Sequence, residues 1–267
     1  MINYPDINPN AVSLGAFSIK WYGVCYLVAF LLCYWRVIVN KIPNFNNEQI
    51  SDLLFYLSIG IIFGGRIGYM FFYAPMDIMS NPLTLLQFWQ PGRSFHGGLL
   101  GVIVAAFIYA KRHNNNFLII MDCIAPIVPI GLGCGRIGNF INGELWGRVT
   151  NVSWGMVFPH VDYFPRHPSQ IYEFLLEGLM LFVVLNIDNL NFYKNCDRYN
   201  YIYKNKSALF LIFYALFRIF VENYREPDFE QGFIGSMTMG QILSIPMLLL
   251  GIGLLFIRCN KFVTQEG

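Results

Sequence analysis

GRIGNFINGELWGR, residues 135–148, follows the apolar run MDCIAPIVPIGLGC at 121–134 and brings two arginines, two asparagines and a glutamate to its end. The tetrapeptide GRIG also stands at 65–68, inside FYLSIGIIFGGRIGYMFFY. An arginine at membrane depth costs at least ~2.5–3.5 kcal/mol on insertion scales, so two in one sequence context call for a reason.

Whether that depth is real is decided by composition. Of the 267 residues 55% are hydrophobic and only 13% charged, against about 25% charged in a soluble domain. A multi-pass membrane protein is therefore expected. The net charge of +2, with no basic tail, gives no reason to expect a nucleic-acid partner. Six cysteines show no CxxC pair and no clustering with histidine, so neither a disulfide nor a metal site is expected, and no cofactor. The start, MINYPDINPNAVSLG, lacks the basic n-region of a cleavable signal peptide.

Windows of about 20 apolar residues give seven candidate spans, at 19–39, 52–74, 95–111, 117–135, 170–187, 207–224 and 237–257. The fold expected is an all-α integral membrane protein, one polytopic domain over 1–267. A small irregular extracytoplasmic lobe is expected at 140–169, where NG, WG, NVSWG and FPRHP read as turns. Alternate connections receive ten basic residues on one side, Arg36, Lys41, Lys111, Arg112, Lys194, Arg198, Lys204, Lys206, Arg258 and Lys261. The other side receives eight, Lys20, Arg66, Arg93, Arg136, Arg148, Arg166, Arg218 and Arg225. The ten sit in plain charge-dense loops, which places the C-terminus in the cytoplasm and the N-terminus outside. Seven of the eight are arginine, whose planar fork suits bidentate phosphate binding.

Each polar cluster has a plain structural reading beside a functional one. Gly60, Gly64 and Gly68 recur every four residues as a helix-packing face, and Gly131 with Gly135 repeats the pattern. Arg66 could simply snorkel to the outer interface. Asn139 shares a face with Arg136 if the helix continues, Asn142-Gly143 reads as a turn, and Glu144, Trp146 and Arg148 follow it. His96, in RSFHGGLLG, has no serine elbow around it and would be a structural histidine in most settings; near arginines its neutral imidazole suits a general base. Tyr214, Arg218, Glu222 and Arg225 form one helical stripe, which a neutralising Arg218–Glu222 pair would also explain. Tyr22 and Tyr26 share a face and by spacing alone read as an aromatic belt. HPSQIYE at 167–173 reads as a helix start with Ser169 as N-cap. These residues suit a cavity for an anionic phospholipid, and leave transport and catalysis both open.

GRIGNFINGELWGR closely resembles the signature of the bacterial phosphatidylglycerol–prolipoprotein diacylglyceryl transferase family. SFHGGLLG, HPSQIYE, FRIFVENYREPD and TMGQILSIP resemble further blocks of that family in the same order, so the likeness runs from WYGVCY at 21 to 246. The resemblance implies transfer of the diacylglyceryl group of phosphatidylglycerol to the lipobox cysteine of a preprolipoprotein, in the bacterial plasma (inner) membrane. The products are a thioether and glycerol 1-phosphate. It further implies His96, Arg136 and Arg218 as catalytic residues, the histidine as base and the arginines at the departing phosphate. Tyr26, Asn139, Glu144, Gly147, Tyr214, Glu222 and Arg225 are implied as substrate-binding, Glu222 by positioning Arg218; Arg66 joins them from its position and the repeated tetrapeptide. The partners implied are phosphatidylglycerol, the signal peptide with its lipobox cysteine, and the bilayer.

Overall fold

The computed structural model describes residues 2–5, 7–14, 17–40, 45–72, 74–87, 92, 94–187, 205–227 and 232–266. Arg93, Lys41, Lys194, Arg198 and Lys204 lie outside them. Helices fall on all seven apolar runs. They are α1 (Trp21–Asn40), α2 (Asn47–Phe72), α4 (Phe95–Arg112), the pair α5 (Phe117–Ile124) and α6 (Val128–Ile141), α7 (Ser169–Asn186), α8 (Lys206–Val221) and α9 (Met239–Glu266). A short α3 (Pro75–Ser80) follows α2. Four of these, α1, α2, α7 and α9, contain stretches long and apolar enough to cross a membrane, and α5 with α6 makes a fifth if counted as one broken span. The 16 residues of α8 extend only about 24 Å, short of a ~30 Å hydrocarbon core. The chain is thus mostly helical, with helices fit for a membrane.

Contacts divide it into two compact units, 36–123 and the remainder. In the first, α2 lies on α4 along the expected glycine face. A Cβ added at Gly60, Gly64 or Gly68 would strike the backbone of Gly97 or Gly101, so only glycine permits this approach. Ser94 caps α4, its Oγ accepting from Gly97 N at 3.2 Å. Ser94 N donates to Gly65 O at 2.9 Å, tying the start of α4 to the first GRIG.

In the second unit α6 meets α7 through Gly133 and Gly178, where an added Cβ at Gly178 would come within 2.9 Å of the Gly133 Cα. The expected glycines are not the ones used. A Cβ at Gly131 or Gly135 meets nothing within 4 Å among the described residues, because α7 packs on the face that carries Gly133. Nor does α6 stop at Arg136; it continues to Ile141, keeping Asn139 in the helix one turn beyond.

The stretch 140–169 departs from the irregular lobe expected, and the fold from a purely α one. Strands β4 (Met156–Val157) and β5 (Pro165–Arg166) pair antiparallel, and β1 (Ile2–Asn3) adds to β4 in parallel. Pairing satisfies backbone groups that turn signals alone leave open. Tyr4 follows β1 and donates to the carbonyls of Phe140 and Ile141 at 2.8 and 2.7 Å, closing the end of α6. Two hairpins complete the described strands, β2 (Asn10–Leu14) with β3 (Phe17–Lys20), and β6 (Phe233–Ile234) with β7 (Met237–Thr238).

Candidate active site

One turn beyond the Gly133–Gly178 approach, Arg136 of α6 reaches two carboxylates of α7. Its Nη1 lies 3.2 Å from Glu173 Oε2 and its Nη2 3.0 Å from Glu177 Oε2. Arg218 of α8 reaches the same pair, at 2.5 Å from Glu173 Oε1 and 3.5 Å from Glu177 Oε1. Arg218 Nη2 also lies 2.5 Å from Glu222 Oε1, and that oxygen takes Arg225 Nη1 at 3.1 Å. Three arginines and three glutamates therefore form one connected, formally neutral network. Glu173 and Glu177 are fully buried and Glu222 is 1% exposed, while the side chains of Arg136 and Arg218 keep 15% and 12% exposure. Buried charges persist only when paired in this way. The carboxylates are the more deeply buried members of these pairs, and what exposure the pairs keep lies on the side chains of Arg136 and Arg218.

Helix α7 widens to π-helical hydrogen bonding over Phe174–Met180, the turn that carries Glu177 and Gly178. Such widened turns are rare and concentrate at functional sites. Tyr214, 3% exposed, lies beside Glu177 and Arg218. Arg225 is 6% exposed, so it enters the site as a buried member of the network.

The signature run leaves α6 through a turn in which Gly143 takes φ +67° and Leu145 φ +58°. A left-handed conformation is uncommon for leucine and persists where its surroundings enforce it. Here the next block enforces it: Gln170 Nε2 donates to the Glu144 carbonyl at 2.6 Å and Ser169 Oγ to the Leu145 carbonyl at 2.7 Å. Ser169 is therefore not the N-cap; Pro168 holds that position, and the serine hydroxyl is spent on the signature loop. The Glu144 side chain, exposed, lies 3.5 Å from Asn139 Nδ2 and 3.2 Å from Asn142 Nδ2.

Gly147 passes between the carbonyls of His167 and Tyr224, where a Cβ has no room. Its N–H donates to His167 O, and Arg148 N donates to Tyr224 O, both at 2.9 Å. Arg148 Nε adds a bond to Arg225 O at 2.9 Å. Three sequence blocks thus interlock at this glycine. Beside it, the Arg166 guanidinium lies 4.3 Å from the centre of the Trp146 ring and pairs with Asp162 and with Glu226 at 3.1 Å. The hydrogen bond from Arg166 holds the Asp162 carboxyl below its usual range, and burial holds His167 below the ordinary imidazole value. His167 Nδ1 lies 3.1 Å from the Tyr172 hydroxyl, which accepts from Trp154 Nε1 at 2.7 Å. Tyr172 can then donate to a neutral imidazole.

Tyr26 is 43% exposed on α1, its hydroxyl 3.1 Å from that of Tyr22, whose ring packs on Gly138. The structure thus joins Arg136, Arg218, Glu222, Arg225 and Tyr214 in one cluster, and groups Asn139 with Glu144. Arg66 and His96 belong to the unit 36–123. Arg66, 3% exposed, donates from Nη2 to Thr84 O at 2.9 Å. His96 is the second residue of α4, part-exposed beside the Ser94 cap.

The spacing reading stops at Glu173, as a first-turn residue, and passes over Glu177. The signal was present: two carboxylates four residues apart in an apolar run with no basic neighbour demand partners from elsewhere.

Residues 9–257 match the family model for prolipoprotein diacylglyceryl transferase. The chain belongs to this family. A protein of Legionella pneumophila strain Philadelphia 1, named phosphatidylglycerol–prolipoprotein diacylglyceryl transferase, is 50% identical over 267 residues, covering 95% of this chain and 98% of that protein. Proteins of the same name from Rickettsia felis and Coxiella burnetii strain RSA 331 are 49% and 47% identical, each covering 94% of this chain and 96% and 95% of their own lengths. As a member of the diacylglyceryl transferase family, the chain is a transferase of lipoprotein biosynthesis, built on membrane helices.

Proposed function

We propose that this chain transfers the sn-1,2-diacylglyceryl group of phosphatidylglycerol to the lipobox cysteine of preprolipoproteins in the bacterial inner membrane. The thiolate sulfur bonds to the glyceryl carbon that carries the phosphate, the carbon–oxygen bond breaks with its electrons, and glycerol 1-phosphate leaves. The thiol proton passes to a base. In this reading seven spans place the N-terminus and the 140–169 lobe outside and the C-terminus in the cytoplasm, within one polytopic domain.

The observation that carries the reading is the carboxylate-held pair Arg136 and Arg218. A neutral network does not draw a phosphate by net charge. What it supplies is direction: an arginine has five N–H donors, and carboxylates behind it fix where the remaining ones point. Donors fixed before the reaction stabilise charge as it grows on the departing oxygen, without reorganisation at that moment. In this scheme Asn139 and Glu144 serve headgroup hydroxyls, Tyr26 and Tyr214 line the lipid cavity, and Arg225 and Arg66 are each assigned to the headgroup. Gly147 serves by letting the loop close.

His96 is the base in this scheme. A thiol of pKa about 8.5 is mostly protonated at neutral pH, and an arginine cannot accept its proton. Neutral imidazole can.

The test is reconstitution in bilayers with headgroup-labelled phosphatidylglycerol and a lipobox peptide. Release of glycerol phosphate that depends on the peptide cysteine is the expected result. Release unchanged with a Cys→Ser peptide would assign a hydrolase, and binding without release a carrier. Turnover at neutral pH that survives His96→Gln removes the histidine from the base role.

A further inference from the structure

Glu222 joins Arg218 to Arg225, and the carboxylate that does so rests against the first turn of another helix. A Cβ built on Gly240, second residue of α9, would collide with Glu222 Oε1 and lie 2.7 Å from its Cδ. Oε1 is the oxygen that both arginines share. The α9 start is itself closed by a reciprocal capping pair, Thr238 N donating to Gln241 Oε1 at 3.1 Å and Gln241 N to Thr238 Oγ1 at 3.3 Å. Thr238 is 3% exposed and neighbours the Glu222 carboxylate. The side-chain hydrogen bond between Thr238 and the Glu222 carboxylate holds the helix start against it, and Arg218 and Arg225 hold the carboxylate in place.

We propose that Gly240 is a positioning residue of the transferase: its missing side chain is the space that seats the Glu222 carboxylate, and through Glu222 it sets the Arg218 guanidinium. This rests on the reaction proposed above and extends it to the TMGQ block, which touches neither lipid nor thiol in that scheme. The glycine is not there for backbone freedom, since α9 is helical at this position and Gly→Ala ordinarily favours a helix. A loss on Gly240→Ala therefore reports the collision.

Two other glycines of α9 separate this role from ordinary packing. Among the described residues a Cβ at Gly253 meets nothing within 4 Å, whereas one at Gly251 meets Ala208, Leu211 and Ile212 of α8, far in sequence from Glu222. The experiment uses the full chain in phosphatidylglycerol bilayers and reads kcat, KM for the lipobox peptide and thermal midpoint. Gly240→Ala is expected to lower kcat about tenfold or more with KM little changed, the mark of an interaction made in the transition state. Glu222→Asp withdraws the carboxylate by one methylene, so adding Gly240→Ala to it is expected to cost less than about threefold further, a coupling that contacting residues show. Gly251→Ala should lower the midpoint while retaining kcat, and Gly253→Ala should change neither.

Gly240→Ala as active as Gly253→Ala overturns the proposal, and so does an equal loss in both Glu222 backgrounds. The cycle read on thermal midpoints does not depend on turnover. If the wild type releases no glycerol phosphate, the reaction assignment fails by itself, and a strictly additive midpoint cycle still sinks the positioning role.

Discussion

Arg66 and Arg136 occupy the same place in two copies of GRIG, and their surroundings differ in every respect that bears on chemistry. Around Arg66 the helices touch through glycine backbones, the side chain is 3% exposed, and Nη2 holds a main-chain carbonyl. Around Arg136 a single glycine contact leaves room one turn on for two buried carboxylates, and the side chain keeps 15% exposure. The tetrapeptide supplies small residues and a charge side by side; the surroundings decide what the charge does. At the first copy the charge is buried with a bond to the Thr84 carbonyl, and at the second a helix with Glu173 and Glu177 holds it by two carboxylates.

The contrast is broken most forcefully at Arg136. Arg136→Ala is expected to lower kcat on the order of 10²–10³-fold. It also leaves Arg218 as the remaining arginine against both buried Glu173 and Glu177, an excess of negative charge expected to cost about 3–5 kcal/mol in unfolding free energy. Glu177→Gln keeps the shape and removes one carboxylate behind both arginines. An intermediate fall in kcat, about tenfold to a hundredfold, is expected with little change in peptide KM, measured by initial rates. Equal activity would show that Glu173 alone orients the pair.

Arg66→Ala should act on the fold more than on the rate. Loss of a charged hydrogen bond to Thr84 is expected to cost about 1.5–3 kcal/mol, read by thermal unfolding. The fall in kcat should be smaller than at Arg136. A loss of rate equal to that of Arg136→Ala would assign the two arginines the same work.

The smallest effect concerns the 140–169 segment. His167 has a folded pKa below its unfolded value near 6.5, so the imidazole is neutral and its contribution is fully present above that value. It is lost as pH falls through the folded pKa. Asp162 behaves in the same sense at lower pH, contributing above the unfolded carboxylate value near 3.9 and losing that contribution as pH falls through its folded one. Thermal midpoints should therefore decline as pH drops below about 6.5, and His167→Gln should flatten that first decline.

The helices were legible because apolar length is a local property, and the seven runs needed no knowledge of partners. The packing of Gly60, Gly64 and Gly68 was legible for the same reason, as a period on one helix. Gly133 was missed in favour of Gly131 and Gly135 because three glycines within five residues offer two faces, and only the partner selects one. Ser169 reads as a cap from its own segment, while its hydroxyl is used by Leu145, 24 residues away. The short strand at Ile2–Asn3 pairs with residues more than 150 positions on, which no local pattern carries. Arg136 and Arg218 were singled out from sequence as cations awaiting an anion, and Glu222 as a neutralising partner of Arg218. The structure shows carboxylates already in place, so the chemistry proposed for the arginines rests on direction rather than net charge.

That shift is what one measurement tests most directly: single-turnover release of labelled glycerol phosphate by Arg136→Lys in phosphatidylglycerol bilayers, with lipid binding measured on the same samples. Lysine keeps the charge and loses the planar fork that Glu173 and Glu177 hold. The expected result is a rate lowered by about a hundredfold, with lipid affinity within about threefold of wild type. A rate close to wild type, or a loss of rate that follows the loss of lipid binding, would contradict an arginine that acts by fixed direction.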